Sequence, residues 1–292
     1  MPDDRFYPPI NFASLDAAAS AFHTARVVVL PVPYDSTVTA RAGARDGPQA
    51  IIEASADMEL YDVGVGLEPY RHGIHTLPEL APHTGSPSAM IDRIEDVVGE
   101  LLDAGKFVVT LGGEHTVAVG AVRAHAKRTP GLSVLAFDAH SDLRDSYLDS
   151  TYNHACTLRR AHEVAPVTQV GLRSASAEDA AMIRDERLAF YSPSALRDAG
   201  AQAVVERLSD DVYITIDLDC FDPSEMAAVG TPEPGGLHWD EVSALLAAVT
   251  RAKRVVGFDL TELSPSLGPR SCAQLAAKLA YRLIGLALGP VE

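Results

Sequence analysis

The chain has 292 residues, 47% hydrophobic and 22% charged, a globular composition that excludes general disorder. With 40 Asp and Glu against 24 Lys and Arg, the net charge is −16, so no nucleic-acid partner is expected, while a small cationic substrate suits the acidic field. The 3 cysteines, Cys156, Cys220 and Cys272, are odd in number and far apart, which argues against a disulfide framework and for a reducing compartment. No stretch reaches the roughly 18 uncharged apolar residues needed to span a bilayer. The N-terminal residues 1–12 lack the basic start and apolar run of a signal peptide, so no membrane partner and a cytoplasmic location are expected.

In chain order, short apolar runs alternate with amphipathic stretches of helical length. Residues 27–32 read as a strand and 48–58 as a helix. Residues 61–87, rich in proline and poor in periodicity, read as a long loop or excursion. Ser86 followed by Pro87 looks like an N-cap with proline at the first helical position. It opens a helix with apolar positions Ile91, Ile94, Val98, Leu101 and Leu102 that stops at Gly105. Strands follow at 107–111, 132–137, 167–171, 212–216 and 255–258, and helices at 116–127, 195–208, 239–251 and 272–288. The alternation, with no Gly/Ser-rich linker and no repeat, predicts a single α/β domain over residues 1–292 with a mostly parallel sheet. In open parallel sheets ligands collect beyond the carboxyl ends of the strands, so the residues just after each strand matter most.

Four of those ends carry ligand-type side chains. VVTLGGEHT places His115 past its strand, and FDAHSDLRD places Asp138, His140 and Asp142 past the next. ITIDLDC supplies Asp217 and Asp219, and GFDLTEL supplies Asp259 and Glu262. In an extended segment, residues i, i+2 and i+4 face one way, so Asp138, His140 and Asp142 are expected to converge. Gathered carboxylates repel one another, and a divalent cation turns that repulsion into binding energy. Four aspartates and two imidazoles without a thiolate favour manganese over a structural zinc. Six ligands exceed what one tetrahedral ion needs and suit two ions roughly 3.5 Å apart. Taken singly, His115 reads as a loop histidine as readily as a ligand, and Asp217 with Asp219 as strand-end caps; together the six point to metal. GGEHT lacks the Gly-Lys-Ser/Thr ending of a phosphate loop.

These segments, together with PYDSTVTARAGARDGPQAIIEAS, YNHACTLRR, VGLRS, GTPEPGGL and GFDLTELSP, resemble the arginase/agmatinase (ureohydrolase) family over most of the chain. The resemblance implies a three-layer αβα sandwich, two Mn2+ ions per subunit and a homo-oligomer, a trimer or hexamer. It implies one manganese on His115, Asp138, Asp142 and Asp217 and the other on Asp138, His140, Asp217 and Asp219. It also implies that Glu262 pairs with the guanidinium of the substrate and that His154 relays a proton to the departing amine. His72, His75 and His83 match no ligand position. The SGN-type stretch by which arginases hold the arginine head group is absent here, so the resemblance favours an agmatinase, hydrolysing agmatine to putrescine and urea. Aminopropylagmatine, guanidinobutyrate and arginine are the alternative substrates, and a catalytically silent member that only binds is the alternative class. The chain departs from the family pattern at Glu114 and Thr116, where Asp and Ser are usual. It departs again at Glu225, Met226 and Ala227, a stretch expected near the substrate mouth.

Overall fold

Runs of valine and isoleucine without polar alternation are satisfied only by burial on both faces, which a parallel sheet covered by helices provides. The computed structural model describes residues 10–291, so residues 1–9 of the stretch read for a signal peptide lie outside the described residues. Among the described residues, eight strands form one sheet: β1 (Val27–Val32), β2 (Ile74–Thr76), β3 (Phe107–Gly112), β4 (Ser133–Phe137), β5 (Val167–Val170), β6 (Ala189–Tyr191), β7 (Asp211–Asp217) and β8 (Arg254–Thr261). Their order is β2-β1-β3-β8-β7-β4-β5-β6, and every pairing is parallel.

All six predicted strands are present. The two unpredicted ones, β2 and β6, are three-residue strands at the sheet edges, too short to carry a periodic signal. The expected excursion at 61–87 therefore contains structure: a short 3-10 turn at Pro69–His72 leads directly into β2. Strand β8 runs three residues past its predicted end, because the buried Asp259 interrupts an otherwise apolar pattern without leaving the sheet.

Helices cover both faces. Ile51 of α1 (Gly47–Ser55), Leu196 of α6 (Pro193–Val205), Leu245 of α7 (Trp239–Ala252) and Leu283 of α8 (Arg270–Leu288) pack on one side with Val29, Val109, Ile214 and Phe258. On the other side, α2 (Pro87–Asp103), α3 (Val117–Arg128) and the short α4 (Thr157–His162) pack on Val28, Leu30, Val108 and Val134. A further short helix, α5 (Ala177–Asp185), follows β5. The result is the expected three-layer αβα sandwich. The start of α2 is as expected: the Ser86 hydroxyl accepts from Ala89 N–H at 3.3 Å, with Pro87 next. Such a cap stabilises by about 1 kcal/mol. Among the described residues, no helix is long and apolar enough to cross a membrane.

The sheet brings the carboxyl ends of β3, β8, β7 and β4 side by side at its centre. Beyond β3 the chain passes so close to the segment after β1 that only glycine fits. A Cβ on Gly113 would lie 2.1 Å from the Tyr34 carbonyl oxygen, which is backbone and cannot swing aside. The crossing is fixed by Gly113 N–H to Val32 O at 2.9 Å and Glu114 N–H to Tyr34 O at 2.7 Å. Gly113→Ala is therefore expected to destabilise the protein by about 3 kcal/mol or to prevent folding. A thermal melt checks this, and an unchanged melting temperature would show that the crossing can relax.

Candidate metal centre

His115 leaves β3 through Gly112–Gly113 and is fully buried. Strand β4 stops at Phe137, and Asp138, His140 and Asp142 follow it. The segment is not a plain extended strand: Asp142 has φ 48°, in the left-handed region, and turns its carboxylate back towards His115. Aspartate tolerates that conformation better than most residues, because its short side chain bonds locally. Asp217 ends β7, and Asp219 sits in the 3-10 turn that follows.

All six residues come together. His115 Nδ1 lies 3.1 Å from Asp138 Oδ2, 3.0 Å from Asp142 Oδ2 and 3.5 Å from Asp217 Oδ2. His140 Nδ1 lies 2.8 Å from Asp219 Oδ2 and 3.8 Å from Asp138 Oδ1. Asp138 thus turns one oxygen to each histidine. Two groups whose donor atoms lie close enough to hold an ion share it: His115 with Asp138 and Asp142, and Asp138 with His140 and Asp219.

The electrostatics fit a cation. Burial, then the charges of Asp142 and Asp219, push the Asp138 carboxyl well above the usual range. Burial, then Asp219 and Asp138, do the same to Asp217. The buried Asp138 Oδ2 has no hydrogen-bond partner. Burial works against a charged His140, but Asp219 outweighs it and raises the imidazole to about 10. Protein groups alone therefore leave this cluster holding protons in a place that a divalent ion would fill.

The far nitrogen of His115 has a built partner. Tyr213 and Thr215 of β7 donate to the two oxygens of the buried Asp259, each at 2.7 Å. With its proton committed there, the Thr215 hydroxyl accepts from His115 Nε2–H at 3.0 Å. That fixes Nε2 as the protonated nitrogen and leaves Nδ1 facing the carboxylates, the arrangement metal-binding histidines require. The sequence marks Asp259 at its strand end without assigning it a role, and nothing in it assigns one to Thr215 or Tyr213. Their signal was the polar alternation Tyr213, Thr215, Asp217 on one face of a strand whose other face is apolar.

His154 and Glu262 lie at the same place. Glu262 follows β8 with φ 68°, a left-handed conformation costly for glutamate, and its Oε1 accepts from His115 N–H at 2.7 Å. His154 Nδ1 is 3.7 Å from that oxygen, an ion-pair contact rather than a hydrogen bond, and Nε2 is 2.9 Å from Thr39 Oγ1. Burial lowers the affinity of His154 for a proton, but the neighbouring Glu262 outweighs it and raises the pKa to about 9. Glu114, also buried, is pushed up to about 7, chiefly by burial, with its bonds to Thr37 opposing.

A cavity of about 250 Å³ opens above the cluster. His140, Asp142, Asp217, Asp219 and His154 line it, and Tyr147, Asp179 and Thr231 form part of its wall. The loops around it are held by Arg173, whose guanidinium donates to the carbonyls of Gly171, Asp219, Cys220, Phe221 and Glu233 at 2.8–3.2 Å. The 225–227 stretch does not reach the cavity. Glu225 caps α7, accepting from Trp239 N–H at 2.9 Å and pairing with His238 Nδ1 at 2.7 Å, while Met226 is buried in the core. Thr231 is the residue of that loop that lines the cavity.

The sequence profile of the Arginase family matches residues 25–285. The chain is 37% identical over 287 residues to the N(1)-aminopropylagmatine ureohydrolase of Synechocystis sp., covering 95% of this chain and 94% of that one. It is 33% identical over 272 residues to the agmatinase of Pyrococcus horikoshii, covering 89% and 91%. The crystal structure of the agmatine ureohydrolase of Thermoplasma volcanium superposes with a TM-score of 0.87 at 33% identity, over 98% of this chain and 96% of that one. The chain belongs to the arginase family, hydrolases that act on amidines.

Proposed function

We propose that the whole chain is one ureohydrolase domain that holds two Mn2+ ions and cleaves a decarboxylated guanidine, agmatine or its N1-aminopropyl derivative, with release of urea. The observation that carries this reading is the shared carboxylate: Asp138 faces His115 with one oxygen and His140 with the other. In this reading His115, Asp138, Asp142 and Asp217 hold one ion, and Asp138, His140, Asp217 and Asp219 the other. Two such ions, if bound there, would supply hydroxide near neutral pH by lowering the pKa of water.

The chain's own groups do the rest. The guanidinium carbon is a poor electrophile because its charge is delocalised, so the substrate must be held rigidly. We assign that task to Glu262, whose Oε1 is anchored by His115 N–H at 2.7 Å, leaving Oε2 for the guanidinium. His154, on the cavity wall and charged at neutral pH, gives its proton to the departing amine. Asp179 and Tyr147 offer a charge and a ring to a cationic tail. Of the two substrates, the aminopropyl derivative has the greater support. The relatives at 37% and 39% identity carry that name, against 33% for the agmatinase. Agmatine, the expectation from the sequence, is favoured by the agmatine ureohydrolase structure at TM-score 0.87. Three buried, unpaired cysteines support a reducing, cytoplasmic setting, and by likeness to the family we propose a homo-oligomer, a trimer or hexamer.

Urea release from the manganese-loaded protein over aminopropylagmatine, agmatine, guanidinobutyrate and arginine is expected to be highest with the first. Release from arginine alone would overturn the decarboxylated-guanidine reading, and inertness toward all four would favour a silent family member. His154→Ala is expected to lower kcat by about 10²–10⁴-fold. Because the pKa of His154 is raised, its acid form persists until about pH 9, so kcat should fall as pH rises through that value. A pH profile whose alkaline limb survives unchanged in the variant would remove His154 from the proton step. Thr215→Val keeps shape but leaves His115 Nε2–H without its acceptor, and is expected to weaken manganese binding about 10–100-fold. Calorimetric titration of the metal-free protein measures this, and equal affinity would show that the Asp259–Thr215 pair does not orient the histidine.

A further inference from the structure

Glu114 is fully buried and both of its oxygens are taken by a single neutral residue. Oε1 accepts from the Thr37 hydroxyl and Oε2 from Thr37 N–H, each at 2.7 Å. A buried carboxylate is expensive to keep, and an apolar side chain of similar size would stabilise the fold at least as well. What the two bonds secure is position, because they fix both the backbone and the side chain of Thr37.

Thr37 in turn holds the segment that carries His154. Its Oγ1 accepts from His154 N–H at 3.1 Å, and its carbonyl accepts from Asn153 Nδ2 at 3.0 Å. Two residues on, Thr39 Oγ1 meets the far ring nitrogen of His154 at 2.9 Å. The short segment after β1 therefore grips the histidine by its backbone and by its ring. A hydroxyl both donates and accepts, so Thr39 can serve the charged and the neutral imidazole alike. We propose that Glu114 is a positioning residue which, through Thr37, sets the place of His154 over the carboxylate cluster. The proposal rests on the assignment of His154 to the proton step.

The chemistry dictates how substitutions sort. Aspartate is one methylene shorter and cannot reach both Thr37 groups from the same backbone. Glutamine can: its oxygen takes Thr37 N–H, its amide donates to Thr37 Oγ1, and the Thr37 proton turns to Thr116 Oγ1, which lies 3.3 Å away. Thr37→Val leaves His154 N–H and one Glu114 oxygen without partners, whereas Thr37→Ser keeps both.

The test uses the full-length protein loaded with manganese and assayed on aminopropylagmatine and agmatine. Thr37→Val and Glu114→Asp are expected to lower kcat about tenfold to a hundredfold, the scale of a misplacement of about 1 Å. KM and bound manganese should stay at the parent value, and the alkaline limb of the pH profile should move. Thr37→Ser and Glu114→Gln should retain most of the activity and the parental limb. Parental kcat and limb in Thr37→Val would overturn the proposal. So would a loss of kcat matched by an equal loss of manganese, since Glu114 would then act through His115. If Glu114→Asp does not fold, the Thr37 pair decides alone. His154→Ala with parental kcat would overturn the proton-step assignment itself, whereas an inactive His154→Ala beside a fully active Thr37→Val would overturn only the positioning role.

Discussion

Mutual repulsion among buried carboxylates is the constraint around which this molecule is arranged. Asp138, Asp142, Asp217 and Asp219 share one floor; the buried Glu262 accepts from the backbone N–H of His115, and the buried Glu114 precedes His115 in the chain. At an effective dielectric constant near 20, two unit charges about 4 Å apart repel by about 4 kcal/mol, and Asp138 has an oxygen within 4.8 Å of a carboxylate oxygen of Asp142 and another of Asp219. No local sequence would gather them unaided. The large apolar interior on both faces of the sheet supplies the opposing free energy, and the parallel topology aims four adjacent strand ends at one point.

The two histidines answer that repulsion from opposite sides, and each is oriented differently. His115 is wholly interior and is turned by Thr215, itself held by Asp259. His140 is partly open to the cavity, its Nδ1 turned inward to Asp219 and its Nε2 3.9 Å from Glu233. The strained backbone at Asp142 and Glu262 belongs to the same arrangement. Both residues lie past the ends of their strands in the left-handed region, and both carboxylates reach His115, Asp142 at its ring and Glu262 at its backbone N–H.

Much of this was legible in the residues. Unbroken Val and Ile runs identified the central strands, because burial on both faces removes any reason for polar alternation. The ligand set stood out because six metal-ligating side chains, four carboxylates and two imidazoles, lie at or just past the carboxyl ends of strands. Illegible were the features that depend on distance across the fold. The edge strands β2 and β6 exist only because β1 and β5 offer an unpaired side. The role of Glu225 could not be read from its place in the chain, since it depends on Trp239 and His238 arriving beside it. Glu114 was visible as a departure from the family pattern, but its partner Thr37 is 77 residues away.

Arg173 ties the rim of the cavity to the sheet in a way that has an evolutionary consequence. All five of its contacts named above are to main-chain carbonyls, which every amino acid carries. The loops it anchors can exchange side chains without losing their anchor, provided the backbone path is kept. Variation at the half-exposed Glu233 is thereby uncoupled from the placement of Asp219, which the same guanidinium holds. A cavity built this way can change what it admits while its floor stays constant, so divergence in substrate among relatives of one fold requires no redesign of the chemistry below.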